Sequence, residues 1–261
     1  MTQLEKYYNK FHEEHRLTTR HGLVEFTTSM HFIEQYAQMA GGPGKIKIAD
    51  IGAGTGRYSV ELCHRGYDVT AVELVKHNLE ILRSKHENVK TWQGDARDLH
   101  FLDNDTFDIT LLFGPMYHLH GDENKERALE EAKRITKKNG IILVAYVMND
   151  YSVISYFFRE HKWYEEVLNE KVTEDFHTIC NDEDLYDYVR LEDMNRINQK
   201  CGVERISVFA PDGPADYIRR ELNEMSEDEF EAFKKYQLAN CERPELLGAS
   251  SHLVDVLRNI K

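Results

Sequence analysis

Several features that define other classes of protein are missing from this sequence. No apolar run approaches the ~20 residues that a helix needs to span a bilayer, and the first residues contain no signal-peptide core. The four cysteines lie far apart without a C-x-x-C pair, so the pattern indicates neither a zinc site nor a disulfide framework. No repeat, low-complexity tract or flexible linker is visible. We therefore predict a cytoplasmic single-domain protein over residues 1–261, with no membrane partner and no metal.

Glycine recurs at alternate positions in one short stretch of the chain, Ala49 to Ser59. An apolar run that predicts a strand leads into Gly52, Gly54 and Gly56, and a helical pattern follows. Glycine permits positive φ and lets a ligand approach the backbone, while the start of a helix offers N–H groups to it. A dinucleotide fingerprint reads G-x-G-x-x-G/A, whereas here Arg57 takes the place of the third small residue. The stretch predicts a loop that binds a nucleotide-like cofactor, and Arg57 counts against a nicotinamide cofactor.

Three further apolar runs each end in residues suited to binding a ligand. The run from Tyr67 to Leu74 contains Glu73 about 20 residues after the glycines, where a carboxylate can accept both hydrogen bonds of a ribose diol. The run at 89–93 leads into G-D-A-R-D-L at positions 94–99, and the run at 107–113 leads into G-P-M-Y-H-L-H at positions 114–120. In this order, the four segments resemble the class I S-adenosylmethionine-dependent methyltransferases. Residues 20–30 and 113–119 are similar to a group of largely uncharacterised bacterial members that act on small molecules.

The resemblance implies S-adenosylmethionine as the cofactor and S-adenosylhomocysteine as the product. It implies that Glu73 binds the ribose, that Leu74 lies against the adenine, and that Asp95 accepts a hydrogen bond from the adenine amino group. Helices near the N-terminus usually fold over the methionine end in this class, which implies a contact from Arg20, with Tyr7 and Thr27 as further candidates. The cofactor-binding residues that the resemblance implies are Asp50, Gly52, Ala53, Gly54, Thr55, Gly56, Tyr58, Glu73, Leu74, Gly94, Asp95, Ala96, Phe113, Gly114 and Arg20.

Alternating strand and helix signals predict an α/β fold with a parallel sheet covered by helices on both faces. With the resemblance, we expect a seven-stranded, mostly parallel, doubly wound sheet in the order 3-2-1-4-5-7-6, with strand 7 antiparallel. Helical patterns cover 4–16 and 23–39 within an N-terminal segment, 1–44, which precedes a cofactor-binding core at 45–148. A helix is predicted over 122–138, and strands five to seven over 141–147, 203–209 and 252–257. The segments at 149–190 and 211–248 are expected to be helical inserts that form a lid over the substrate.

Negative charge is concentrated in the two inserts. The chain has a net charge of −13, and 13 acidic residues face 6 basic ones over 149–200, with 10 facing 5 over 211–249. A rim of this sign repels a phosphate backbone, so we expect no nucleic-acid partner. It suits a neutral or cationic small-molecule acceptor, although solvated helix faces explain the charge equally well. The oligomeric state stays open.

The segment after strand four is where this class keeps residues close to the methyl group. His118 and His120 are candidates for accepting a proton, and Tyr117 for orienting the acceptor. Tyr146 and His252 are further candidates on the same rim. The Asn/Asp-Pro-Pro-Tyr/Phe clamp of enzymes that methylate nucleobase or glutamine amides is incomplete, because Gly114 has no side-chain acceptor.

These patterns together predict methyl transfer from S-adenosylmethionine to the nitrogen or oxygen of a small molecule by in-line displacement. Two alternatives stay open at this point. One is methylation of a protein or an RNA, and the other is a non-catalytic protein that senses adenosylmethionine. A nicotinamide dehydrogenase is the weakest alternative, because the G-D-A segment also counts against it.

Overall fold

A seven-stranded β-sheet forms the centre of the fold in the computed structural model, which describes residues 3–8 and 17–261. The strands are β1 (Lys47–Ile51), β2 (Asp68–Glu73), β3 (Lys90–Gln93), β4 (Phe107–Leu112), β5 (Thr136–Val147), β6 (Glu204–Phe209) and β7 (His252–Arg258). Their order is β3-β2-β1-β4-β5-β7-β6, and β7 runs antiparallel to both of its neighbours. The predicted fold class and strand order are confirmed.

Helices flank this sheet and fill most of the connections between strands. Those before the insert region are α1 (Gln3–Tyr8), α2 (Arg20–Ala40), α3 (Arg57–His64), α4 (Lys76–Ser84), α5 (Pro115–His118) and α6 (Asp122–Ile135). Those that follow β5 are α7 (Asn149–Ser152), a π-helix (Val153–Arg159), α8 (Trp163–Leu168), α9 (Leu191–Cys201), α10 (Arg219–Glu224), α11 (Glu227–Asn240) and α12 (Pro244–Leu247).

Alternate side chains of the central strands enter two separate apolar clusters, one on each face of the sheet. Ile48 packs in a cluster with Phe26 of α2 and Leu62 of α3, whereas its neighbour Ala49 belongs to a cluster that includes Leu129 of α6. Strands buried on both faces need apolar residues at consecutive positions. Burial on both faces explains the continuous apolar runs that the sequence shows at the strands. Because β1, β2 and β4 are parallel, the loops that follow them lie at one edge of the sheet.

The boundary between α6 and β5 differs from the prediction of a helix over 122–138. The helix ends at Ile135, and Thr136 already has extended backbone, with φ −82° and ψ 136°. The Thr136 hydroxyl donates to the carbonyl of Ala132 at 2.6 Å, and Thr136 pairs with Phe107 before an irregularity in the β4–β5 register. Lys137 and Lys138 therefore lie in β5. The polar residues at its start have a helical pattern, and pairing with β4 overrides it.

The helices before the sheet agree with the predicted pattern where they are described. Of the helix predicted over 4–16, the part within α1 is helical and the rest lies outside the described residues. The Thr19 hydroxyl accepts from the N–H of Gly22 at 3.3 Å, so α2 starts three residues before the predicted boundary. Gly41, with φ 135°, ends α2.

Two long connections leave the sheet at the carboxyl ends of the parallel strands. The first runs from β5 to α9 and contains α7, the π-helix and α8; the second joins β6 to β7 and contains α10, α11 and α12. The chain therefore reaches the same edge of the sheet through its strand loops and through both connections. No helix in the described part of the chain has the length and apolar character needed to cross a bilayer.

Candidate active site

A cavity of about 860 Å³ lies at the carboxyl ends of the parallel strands. It extends from the loops after β1, β2 and β3 to residues of α2, the two long connections and the start of β7. We call the part at these strand loops the cofactor half, and the part around Tyr117, Asp212 and His252 the acceptor half. The described wall has seven carboxylates and three guanidinium groups: Glu25, Asp50, Glu73, Asp95, Asp182, Asp212 and Asp216 against Arg57, Arg97 and Arg219.

The structure brings most of the predicted site residues to this wall. Two of the predicted cofactor contacts, Gly56 and Arg20, do not line the cavity. The predicted residues that do line it are Asp50, Gly52, Ala53, Gly54, Thr55, Tyr58, Glu73, Leu74, Gly94, Asp95, Ala96, Phe113, Gly114, Tyr117, His118 and His120.

The glycine loop after β1 is shaped by close packing as well as by positive φ. Gly52 has φ 82°, and a Cβ added there would lie 2.4 Å from Cδ of Pro115. Its N–H donates to the carbonyl of Val72 at 2.8 Å, which ties the loop to β2. Gly56 has φ 87°, and a Cβ there would lie 2.2 Å from a methyl group of Leu82. Gly56 therefore packs against α4 on its Cβ side and does not line the cavity, and its contact with the cofactor stays a prediction.

Glu73 holds the glycine loop through its side chain. The carboxylate is buried, one oxygen accepts from the N–H of Gly54 at 2.8 Å, and the other accepts from the N–H of Val75 at 2.7 Å. Each carboxylate oxygen has a second acceptor site. The group is thus fixed in direction and can still accept from a ligand, and the neighbouring Leu74 side chain is exposed on the cavity wall.

Asp95 lies at the far end of the cofactor half, where Arg97 binds it. Its carboxylate accepts from the backbone N–H of Arg97 at 2.9 Å and from the guanidinium group, which also donates to Asn124 at 2.8 Å. Burial raises the pKa of Asp95, but the hydrogen bonds from Arg97 outweigh it and the pKa is lowered. The predicted ligand group is therefore ionised and held in place by Arg97, which is itself held by Asn124. Sequence reasoning did not assign either of these two residues.

Asp50, the last but one residue of β1, has one oxygen without a partner among the described residues. The carboxyl is 1% exposed; its other oxygen accepts from the Ser59 hydroxyl at 2.5 Å. Burial raises the pKa of Asp50 to about 6, against the lowering effect of the hydrogen bond from Ser59. A buried acceptor of this kind at a cavity wall is suited to a cationic donor from a ligand.

Arg20 has a structural position in place of the predicted cofactor contact. Its guanidinium group donates to the carbonyls of Leu222 at 2.9 Å and Met225 at 2.7 Å, and it pairs with Glu227 at 3.2 Å. Arg20 therefore fastens the connection between β6 and β7 onto α2. Thr27, the weaker candidate, is exposed on α2 and does not line the cavity.

His118, the first candidate for a proton acceptor, has both ring nitrogens engaged. Nδ1 donates to the carbonyl of Leu185 at 2.8 Å, so Nε2 accepts from the Tyr8 hydroxyl at 3.0 Å. Burial lowers the pKa of His118 to about 4, so the ring is neutral at physiological pH. Its ring also stacks on Tyr186 at 5.3 Å. These contacts count against a base role for His118 and favour one in shaping the wall.

The other predicted candidates are spread over the cavity. His120 lies near the Asp95 end, because its carbonyl accepts from Asn124, and its Nε2 has no partner among the residues described. Tyr117 lies in the acceptor half, with its ring 5.3 Å from that of His252. Tyr146 is fully buried and does not line the cavity, which counts against its candidacy.

The acceptor half contains buried carboxylates that sequence reasoning did not assign. Asp212 accepts from Nδ1 of His252 at 2.7 Å, and Glu25 of α2 has a carboxylate oxygen within 4.8 Å of a side-chain atom of each. Asp216 accepts from Tyr151 and pairs with Arg219. These residues come from four parts of the chain, so no local motif identifies them. The sequence offers one signal for them, which is that the acidic insert at 211–248 is expected at the same rim as His252.

Comparison with known proteins identifies the class to which these loops belong. Residues 49–144 match the family described as a methyltransferase domain. The match supports a methyltransferase domain over this part of the chain. The predictions of this domain and of S-adenosylmethionine as its cofactor are confirmed.

Relatives of the methyltransferase domain differ in what they are named for. The chain is 32% identical over 103 residues to a demethylmenaquinone methyltransferase of Renibacterium salmoninarum, covering 40% of this chain and 41% of that protein. It is 26% identical over 106 residues to a glycine/sarcosine N-methyltransferase of Parasynechococcus marenigrum, covering 39% and 38%. The chain thus matches about two fifths of the length of these relatives.

A solved structure supports the fold over almost the whole chain. It is a methyltransferase of Thermotoga maritima described as a possible histamine N-methyltransferase, with a TM-score of 0.55. The sequence identity is 21%, and the match covers 99% of this chain and 98% of that one. The likeness extends the methyltransferase fold beyond the matched domain to both long connections.

Proposed function

We propose that this protein transfers the methyl group of S-adenosylmethionine to a nitrogen or oxygen atom of a small molecule. The observation that carries the proposal is the single cavity, in which the cofactor loops are continuous with a half walled by the two long connections. A volume of about 860 Å³ lies within the range of small-molecule sites. It offers room for an acceptor beside the cofactor.

The residues of the cofactor half fit S-adenosylmethionine. Asp50 has a buried oxygen suited to the cofactor's ammonium group, and Glu73 is a fixed acceptor suited to a ribose diol. Asp95 is an ionised acceptor suited to the adenine amino group, with Leu74 exposed beside it for the ring. At Gly52, a side chain would clash with Pro115, so glycine lets the loop after β1 pack against the loop after β4, and both loops line the cavity.

The acceptor half favours a small, neutral or cationic molecule over a polymer. Its wall is lined by aromatic rings and carries an excess of carboxylates, which repels the phosphates of RNA. The names of the two relatives, which refer to demethylmenaquinone and to glycine and sarcosine, also denote small acceptors. The tyrosines on this wall are Tyr7, Tyr117, Tyr151, Tyr156, Tyr186 and Tyr188.

The chemistry asks the protein for position more than for covalent help. When bound, S-adenosylmethionine supplies a sulfonium methyl group that an acceptor lone pair displaces in line. The wall residues hold the acceptor against the cofactor, exclude water, and receive the proton that the acceptor loses. The roles of Tyr117, His118 and His120 in this step remain proposals. The contacts of His118 favour a role in shaping the cavity wall.

The test is transfer of a deuterated methyl group from S-adenosylmethionine into a cell lysate that is then separated into metabolite, RNA and protein fractions. We expect label in the metabolite fraction, with an acceptor mass that mass spectrometry gives directly. The control is the Gly52→Val variant, which should bind no S-adenosylhomocysteine in calorimetry. Label confined to RNA or protein would refute a small acceptor. Cofactor binding without label in any fraction would favour a sensor.

A further inference from the structure

A histidine and an aspartate form a close pair at the acceptor end of the cavity. His252 is the first residue of β7, Asp212 lies in the loop after β6, and both line the cavity. Nδ1 of His252 lies 2.7 Å from an oxygen of Asp212. Because an ionised carboxylate accepts, Nδ1 holds the proton in the neutral ring, and Nε2 is the nitrogen whose protonation changes when the ring titrates.

Asp212 is fixed by several donors besides the imidazole. The Ser250 hydroxyl donates to one oxygen at 2.6 Å, the Ser251 hydroxyl donates to the other, and the N–H of His252 lies 3.2 Å from the first. Burial raises the pKa of Asp212, but His252 and these hydroxyls outweigh it, so the pKa is lowered. The carboxylate therefore stays ionised and fixes the orientation of the imidazole.

Negative charge is concentrated around this pair. Glu25 is 7% exposed, and its carboxylate, a side-chain atom of Asp212 and one of His252 all lie within 4.8 Å of one another. Asp216 is also buried and pairs with Arg219, the guanidinium group of this part of the described wall. Buried carboxylates favour a cation that desolvates next to them.

Two further titratable neighbours in the described part of the chain, His21 and Tyr151, add no positive charge at neutral pH. Burial lowers the pKa of His21, and the charge of Arg219 lowers it further. Burial and the hydrogen bond to Asp216 raise the pKa of Tyr151, so its hydroxyl stays protonated. The ring of Tyr117 packs 5.3 Å from that of His252 and offers a π face to a cation. The acceptor half therefore suits an organic cation that has a charged polar group and an apolar remainder.

From this geometry we infer that the acceptor is a primary or secondary amine that binds as its ammonium ion, and that His252 removes the ammonium proton. In this assignment Glu25 draws the cation into the cavity, and Asp212 is a positioning residue that orients the imidazole. The inference rests on the proposed methyl transfer and names its substrate class and its proton acceptor. A protonated amine has no lone pair to attack with, so this proton must leave before methyl transfer.

The step is balanced in atoms and charge. Nε2 of neutral His252 takes one proton from the ammonium ion, which leaves a neutral amine and an imidazolium ion facing Asp212. The amine lone pair then forms a bond to the sulfonium methyl carbon while the carbon–sulfur bond breaks and its electron pair stays on sulfur. The products are an N-methylated ammonium ion and S-adenosylhomocysteine, and His252 afterwards releases its proton to water.

A divalent cation is the competing occupant for Glu25, Asp212 and His252, because carboxylate and imidazole are metal ligands. The separation of 2.7 Å between His252 and Asp212 is that of a hydrogen bond, and hydroxyl groups of Ser250 and Ser251 already donate to the two Asp212 oxygens. A metal would have to share each Asp212 oxygen with a donor that is already in place. The observed contacts favour the amine, and metal binding is an outcome of the test.

The test compares three amines with alcohols of the same shape on protein saturated with S-adenosylhomocysteine: 2-phenylethylamine with 2-phenylethanol, benzylamine with benzyl alcohol, and cyclohexylamine with cyclohexanol. We expect calorimetry to show at least one amine bound about 10-fold more tightly than its alcohol, and Glu25→Gln to abolish this preference. With S-adenosylmethionine, turnover of that amine should rise with pH between about 6 and 8. His252→Gln should lower kcat about 100-fold or more and remove this rise, and Asp212→Asn should shift it.

Matched controls separate these effects from loss of folding and from failure of the proposed function. His64→Gln and Asp68→Asn remove the same groups from exposed positions outside the cavity and should leave every value unchanged. All variants should bind S-adenosylhomocysteine within about threefold of the unmodified protein, because none lies among the cofactor loops. Failure of the unmodified protein to bind it would refute the proposed function itself.

Three results would overturn the amine inference while leaving cofactor binding in place. The first is alcohols that bind or react as well as the amines, and the second is no amine binding across the panel. The third is acceptor turnover that is lost on chelation and restored by Mn²⁺ or Zn²⁺, which would make the three side chains a metal site. A pH profile unchanged in His252→Gln would remove His252 as the proton acceptor.

Discussion

The two halves of the cavity are built by different means. In the cofactor half, Glu73 and Asp95 each accept from the backbone N–H of the residue two positions further along the chain. Glu73 also accepts from a backbone N–H of the facing glycine loop. In the acceptor half, Asp212 and Asp216 are held by side chains from separate segments, including His252 and Tyr151. The comparison teaches that the first half depends on local backbone geometry, whereas the second depends on how distant segments pack.

The sharpest test of the cofactor half is Gly52→Val. Gly52 has φ 82°, and the Cβ of a valine there would lie 2.4 Å from Cδ of Pro115. Strain and overpacking together should weaken S-adenosylhomocysteine binding by roughly 100-fold or more in calorimetry. The matched control is Gly44→Val, since Gly44 has φ 73° but nothing within 4 Å of an added Cβ. Equal affinities in both variants would show that the loop does not approach the cofactor.

A second test concerns the buried charge of Asp50, whose pKa is raised to about 6. The folded protein binds this proton more tightly than the unfolded chain, so the free energy of unfolding falls as the pH rises from about 4 to about 7. The fall due to this group is about 3 kcal/mol, and Asp50→Asn should remove it. The measurement is the difference in urea unfolding between the two proteins at both pH values, without ligand. A difference that does not change with pH would contradict the raised pKa.

Cofactor affinity should depend on pH in the opposite direction to the free energy of unfolding. If the ionised Asp50 pairs with the cofactor's ammonium group, S-adenosylhomocysteine should bind more tightly to the unmodified protein as the pH rises through about 6. Asp50→Asn should bind it more weakly and without this pH dependence.

Removing the carboxylate of Glu73 should have an intermediate effect. Glu73→Ala leaves the N–H groups of Gly54 and Val75 without their acceptor and removes the group proposed for the ribose. We expect cofactor affinity to fall by about 2 kcal/mol, measured by calorimetry. Glu61→Ala, on the exposed side of α3, serves as the control. An affinity within twofold of the unmodified protein would remove Glu73 from the site.

The smallest effect is expected in the acceptor half, from Tyr8→Phe. The hydroxyl of Tyr8 donates to His118, so its loss should lower the free energy of unfolding by about 1 kcal/mol. Cofactor affinity should not change, because the contact belongs to the other half. Tyr164→Phe, at a side chain that is 80% exposed, should change neither value. A large loss of cofactor affinity in Tyr8→Phe would mean that the two halves are coupled.

The same contrast explains what the sequence could predict. The strands and the glycine loop are predicted from apolar runs and spacing, which are local patterns. The strand order comes from the family resemblance that these patterns carry, and the structure confirms the sheet. Gly56 is conspicuous in the same motif, yet its space is filled by Leu82 from another helix. Arg20 stands next to a resembling stretch, yet its partners lie about 200 residues away.

The pair of Asp212 and His252 shows why the buried carboxylates of the acceptor half were missed. Forty residues separate the two in sequence, and they meet because β6 ends and β7 begins at the same edge of the sheet. A single histidine at the start of a strand is not part of any sequence pattern that predicts an aspartate partner. The pKa of His118, lowered by burial, is likewise a property of tertiary packing that no motif contains.

The antiparallel direction of β7 has a consequence for how such a protein can diversify. Its seven paired positions with β5, from Ile141 with Arg258 to Val147 with His252, anchor the last strand independently of what precedes it. The segment between β6 and β7 therefore starts and ends beside the reacting groups, and it can change in length or composition without altering the sheet. If the acceptor binds beside this segment as proposed, exchanging the segment between β6 and β7 for that of a homologue should change acceptor preference and leave cofactor binding in place.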